Sequence, residues 1–135
     1  MMMSHYVALK SNNGKFLSLS SNGKLMCDKN DIKDCDIFIM KYEGRYVTFQ
    51  TKTRKYLSAS PTATLEADRE KIGSAERFEI EWVDEDWFVL KANYGNYVSV
   101  QKDGKIEITQ KLLQDNEKFK LIEQKVESLF EFLQF

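Results

Sequence analysis

Along most of this chain hydrophobic and polar positions alternate with a period of two, and the alternating pattern itself recurs. Val7-Ala8-Leu9-Lys10-Ser11-Asn12-Asn13-Gly14-Lys15-Phe16-Leu17-Ser18 is followed by a counterpart over Val47–Ser58 and another over Phe88–Ser99. The same offsets continue to the end of each unit. Leu25, Leu65 and Ile106 share a column, as do Cys27, Ala67 and Ile108. Phe38, Phe78 and Phe119 close the units, followed by Met40, Ile80 and Leu121. A period of two marks half-buried strands. A repeat near forty residues marks a fold built from copies of one supersecondary unit.

Turn chemistry divides each unit into strands. Asn13-Gly14, Asn22-Gly23 and Asp103-Gly104 accept positive φ and suit tight hairpins. The second unit carries Arg54 and Pro61-Thr62-Ala63 at these places, so longer or type I turns are expected there. A polar connection follows each third strand, interrupted by one apolar residue, Ile32, Ile72 or Leu113, expected to anchor in the core. Four strands in each of three units make twelve. Propellers need four or more blades, and a three-unit solenoid leaves edges unpaired. The predicted fold is therefore all-β, a single β-trefoil with pseudo-threefold symmetry, in which six strands form a barrel and six form capping hairpins. The expected division is an N-terminal extension over 1–5, a trefoil over 6–122 with repeats 6–45, 46–86 and 87–122, and a C-terminal segment over 123–135.

That last segment has no counterpart in the repeats. Ile122, Val126, Leu129, Phe130 and Leu133 fall on one face of a helix. A short C-terminal amphipathic helix is expected, and an isolated helix of this length must pack on something. Val126, Leu129, Phe130 and Leu133 are the candidate self-association residues of a homodimer. Packing against the chain's own barrel is the competing reading, which periodicity does not separate from the first.

Composition narrows the function. The net charge of −1 gives no global pull toward nucleic acid or an anionic membrane. The longest apolar stretches are a few residues, so no integral membrane contact is expected. The first residues lack signal-peptide regions, the two cysteines form no metal-type pair, and no Asn-x-Ser/Thr acceptor occurs. A reduced, cytoplasmic protein is expected. A single histidine, His5, near the N-terminus supports no Ser/His/Asp set. Asp28, Asp31, Asp34 and Asp36 lack calcium-loop spacing and read as a solvated loop. Neither catalysis, nor a metal, nor a cofactor is expected.

The residues that define the repeat also carry a family resemblance. Leu9-Lys10, Gly14-Lys15-Phe16-Leu17-Ser18, Lys55-Tyr56-Leu57-Ser58 and Asn96-Tyr97-Val98-Ser99, each followed by a turn and a closing Phe, resemble the β-trefoils of the fascin and hisactophilin type. The resemblance implies an actin-binding protein associated with the cytoskeleton, with F-actin as partner. The chain departs from it in having one histidine, which removes a histidine-based pH sensor, and in having one trefoil.

Charge along the chain is uneven. Residues 41–55 hold Lys41, Arg45, Lys52, Arg54 and Lys55 against Glu43 alone, whereas 56–90 hold nine acids against three bases. The candidate actin-binding residues are Lys10, Lys15, Lys52, Arg54, Lys55 and Lys91, in or beside the first turn of each repeat. Filament binding is the expected function, extending to bundling if the chain self-associates. The alternative is a module for a carbohydrate or another protein ligand. The Gln-x-Trp repeat of ricin-type trefoils is absent from the closing strands, and Trp82 and Trp87 align with Tyr42 and Tyr46 as packing aromatics.

Overall fold

A computed structural model describes residues 4–124. Twelve strands appear in chain order: β1 (Ser4–Ser11), β2 (Phe16–Leu19), β3 (Leu25–Lys29), β4 (Phe38–Glu43), β5 (Tyr46–Gln50), β6 (Tyr56–Ala59), β7 (Leu65–Arg69), β8 (Phe78–Trp82), β9 (Trp87–Lys91), β10 (Tyr97–Val100), β11 (Ile106–Gln110) and β12 (Phe119–Glu123). Strands β1, β4, β5, β8, β9 and β12 pair in a closed antiparallel ring, with β12 returning to β1. The hairpins β2–β3, β6–β7 and β10–β11 branch from this ring. The ring leaves no barrel edge open. The architecture is a pseudo-threefold β-trefoil.

The core is the set of aligned columns. Val7, Val47 and Phe88 are buried at the start of each repeat, and Phe38, Phe78 and Phe119 at its end. Cys27, Ala67 and Ile108 are buried in the hairpins. Phe88 and Phe119 stack with centroids 6.1 Å apart. The hairpins also bond to one another in a cycle: the amides of Cys27, Ala67 and Ile108 donate to the carbonyls of Gly104, Gly23 and Ala63, at 2.8, 3.1 and 2.8 Å. Each hairpin tip thus lies against the middle of the next hairpin.

The second repeat keeps the turn geometry of the other two without their glycines. Arg54 has φ 68°, where Gly14 and Gly95 have 82° and 91°, and Ala63 has φ 65°, where Gly23 and Gly104 have 84° and 91°. The amide of Arg54 donates to Thr51 O just as Gly14 donates to Ser11 O and Gly95 to Ala92 O. The turns are therefore the same in all three repeats, and the type I geometry expected of the second repeat holds in each: an i→i+3 bond, negative φ at the two central residues, then one residue in the left-handed region. Arg54 and Ala63 thus occupy the left-handed region at a local energetic cost, and at Ala63 the Ile108 amide, donating to its carbonyl, adds a tertiary tie.

The polar connections differ as well. Ile32 and Ile72 are only half-buried and Leu113 is 48% exposed, whereas Glu76 and Glu117 are buried. Each connection makes one 3₁₀ turn, over Ile32–Asp34, Ser74–Glu76 and Asp115–Glu117. Its inward anchor is the acid Asp36, Glu76 or Glu117, bonded to Ser18, Ser58 or Ser99 on the neighbouring hairpin strand.

The C-terminal amphipathic helix expected over 123–135 is corrected. Ile122 and Glu123, where its stripe was to begin, belong to β12 and pair with Ala8 and Val7. The amide of Gln124 then donates to Tyr6 O at 2.8 Å. Pairing with β1 closes the barrel, a gain that a helix starting here would forfeit. No α-helix occurs among the described residues. The homodimer expected through that helix falls with it. Val126, Leu129, Phe130 and Leu133, its candidate residues, lie outside the described residues.

Candidate functional site

The first turn of each repeat places the basic candidates. Lys10, half-buried near the end of β1, has Nζ 5.6 Å from the centroid of Phe16, and Lys91 repeats this over Tyr97 at 5.7 Å. Each cation lies over a ring on the adjacent strand, which orders its stem while its charge faces solvent. Lys15 donates to Asn30 Oδ1, and Lys55 Nζ lies 2.6 Å from Glu70 Oε1. The hydrogen bond from Lys55 holds the Glu70 carboxyl below the ordinary carboxylate value. Lys52 and Arg54 sit exposed in the β5–β6 turn.

These six residues come from three turns that the pseudo-threefold relation sets around the barrel axis. The structure groups them as Lys10 with Lys15, as Lys52 with Arg54 and Lys55, and as Lys91 alone. The surplus in 41–55 is also partly compensated. Arg45 Nε lies 3.3 Å from Glu79 Oε1, with its guanidinium over Tyr46, whereas Arg77 from outside the stretch takes up its one acid, with Nε 3.3 Å from Glu43 Oε2.

Reactive groups are few. Burial pushes the Cys27 thiol up to about 12, and burial followed by the Asp36 charge pushes Cys35 up to about 11. Neither is a thiolate at neutral pH. His5 Nδ1 lies 3.1 Å from Glu123 Oε1, with its ring edge-on to Tyr42. Among the described residues no group of three or more His, Cys, Asp or Glu is arranged to hold a metal ion. No helix among them is long and apolar enough to cross a membrane.

Two concavities are built by the assembly of repeats. A depression of about 300 Å³ lies where all three hairpins meet, lined by Leu25, Leu65 and Ile106 with Lys24, Thr64 and Lys105 around them. Glu107 lines it too, so it carries both signs of charge. A second groove of about 440 Å³ runs between the β6–β7 hairpin and the β9–β10 turn, lined by Pro61, Asp68, Arg69, Asn93 and Tyr94 among others. Sequence reasoning missed this groove. The available signal was Tyr94, an aromatic where the equivalent columns hold Asn13 and Thr53.

Comparison with known proteins agrees with this architecture. Residues 2–80, more than half of the chain, match the model of the Fascin domain. No curated protein matches the sequence. Among solved structures, the designed threefold-symmetric protein ThreeFoil is similar in fold, with a TM-score of 0.77 at 12% identity, over 88% of this chain and 99% of that one. That likeness speaks to fold alone.

Proposed function

This chain belongs to the Fascin domain family, and from that premise we propose that it is a non-enzymatic β-trefoil module that binds an acidic protein surface. Family membership carries the reading. The matched residues 2–80 include five of the six basic candidates, Lys10, Lys15, Lys52, Arg54 and Lys55, in or beside the first turns, with Lys52 and Arg54 exposed. The specific partner proposed is the actin filament, which assigns the protein to the cytoplasm and the cytoskeleton. The reading is filament binding by a single trefoil; bundling through a helix-mediated dimer is not part of it.

Co-sedimentation with actin filaments tests the reading. Binding should weaken as salt rises, because exposed charges are screened beyond about 10 Å at 0.1 M ionic strength. Joint reversal of Lys52, Arg54 and Lys55 to Glu should reduce pelleting more than reversal of Lys102 and Lys105, which sit on the β10–β11 turn. Absence of pelleting at low salt, or equal loss from both sets, overturns the actin assignment.

A further inference from the structure

The groove at the junction of the second and third repeats breaks the threefold pattern in a chemically coherent way. Tyr94 occupies the column of Asn13 and Thr53, and Pro61 occupies that of Ser21 and Lys102. Arg69 and Asp68 project from the end of β7, where the third repeat has Gln110 and Thr109. Neither of the other junctions therefore combines an aromatic ring, a proline wall and an acid–base pair.

The geometry of these groups selects a ligand. Tyr94 is 41% exposed, yet its hydroxyl donates to Ser60 O at 3.2 Å, which ties the ring to the hairpin across the groove. The phenol's polar end is engaged, so its contribution to a ligand is ring surface. Asp68 Oδ1 and Arg69 Nε stand 3.8 Å apart, too long for a hydrogen bond. An acceptor and a forked donor thus lie side by side with bonding capacity to spare. Asp68 and Glu66 disfavour an anionic ligand, and Arg69 offsets one of the two carboxylates and so weakens the pull on a cationic one. A neutral ligand with one C–H face and adjacent hydroxyl groups satisfies all of them: the face rests on the aromatic ring, one hydroxyl donates to the carboxylate, and its neighbour accepts from the guanidinium. The volume of about 440 Å³ falls within the range of small-molecule sites.

We propose that the groove between Tyr94 and the Asp68–Arg69 pair is a binding site for a neutral pyranoside ring, one site per chain. It does not depend on the actin reading, although Tyr94 lies in the turn that Lys91 precedes. An open groove and few contact groups set the affinity for one ring in the millimolar range.

The test is titration of the ¹⁵N-labelled full chain with methyl β-D-galactopyranoside, methyl α-D-glucopyranoside and methyl α-D-mannopyranoside, followed by amide chemical shifts. At least one glycoside should give saturable shifts centred on Asn93, Tyr94, Asp68 and Arg69. Tyr94→Thr, which installs the residue of the second repeat, should weaken binding by about tenfold or more. Asp68→Asn, exposed and nearly isosteric, should do the same, and it decides the matter if Tyr94→Thr disturbs the rest of the spectrum. Absence of saturable shifts with all three glycosides, or shifts unchanged in a folded variant, overturns the site.

Discussion

Ser99 and Glu117 are buried together, the Ser99 hydroxyl donating to Glu117 Oε2 at 2.8 Å. The other carboxylate oxygen accepts from the amide of Gln114. Glu117 therefore ties the last connection to β10 while capping its own 3₁₀ turn. Ser58 and Glu76 repeat the arrangement at 2.6 Å, with the amide of Gly73 as second donor. In the first repeat the shorter Asp36 bonds Ser18 and the amide of Leu19.

This pairing makes the first prediction. A buried carboxylate that loses a donor bears an uncompensated desolvation cost, so Ser99→Ala should destabilise the fold by about 1–3 kcal/mol. Glu117→Ala should cost more, since it orphans the Ser99 hydroxyl and the Gln114 amide. The two effects should be coupled by about 0.5–3 kcal/mol in a double-mutant cycle measured by denaturant unfolding. Strict additivity would show that the two groups are not one network.

Backbone conformation at the hairpin tips makes the second. Ala63 occupies the left-handed region at φ 65°, where glycine carries no steric penalty. Ala63→Gly should stabilise the protein by about 0.5–1 kcal/mol, less whatever its methyl group contributes to packing. Gly104→Ala should do the opposite and cost more, because a Cβ there would stand 2.7 Å from Cys27 O. Urea titration of both variants checks the sign of each change.

The closing phenylalanines make the third. Phe38, Phe78 and Phe119 are equivalent and buried. Truncation of each to Ala should cost roughly 3–5 kcal/mol. Thermal or chemical unfolding measures this, and losses below about 1 kcal/mol at two of the three would contradict their shared role.

The thiols make the fourth. Burial raises Cys27 from 9.0 to about 12, and Cys35 rises to about 11. A disulfide reagent at pH 8 should modify native Cys35 slowly and Cys27 more slowly still, with both reacting at once after denaturation. The raised Cys27 value favours the protonated thiol in the folded state. Its contribution to stability is therefore complete below pH 9.0 and lost as pH climbs toward about 12. Cys27→Ala should remove that part of the alkaline destabilisation.

By itself, the sequence determined the repeat, the strands and the core columns. Each rests on interactions between residues near in sequence or on a spacing copied three times, and one closed fold reconciles them. What it could not weigh was competition from distant partners. At Ala63, composition argued against a left-handed residue, but the hairpin tip adopts one, and the Ile108 amide of the neighbouring hairpin bonds its carbonyl. At Ile122 and Glu123 a helical stripe competed with a strand, and the unpaired edge of β1, more than a hundred residues earlier in the chain, decided for the strand. In the connections, hydropathy favoured Ile72 and Leu113 as anchors, yet Glu76 and Glu117 are buried because Ser58 and Ser99 satisfy them. The Tyr94 groove exists only because the third repeat's turn lies against the second repeat's hairpin. Local pattern fixes which residues prefer burial or extension, and only tertiary contact supplies the partners that make a costly local choice the stable one.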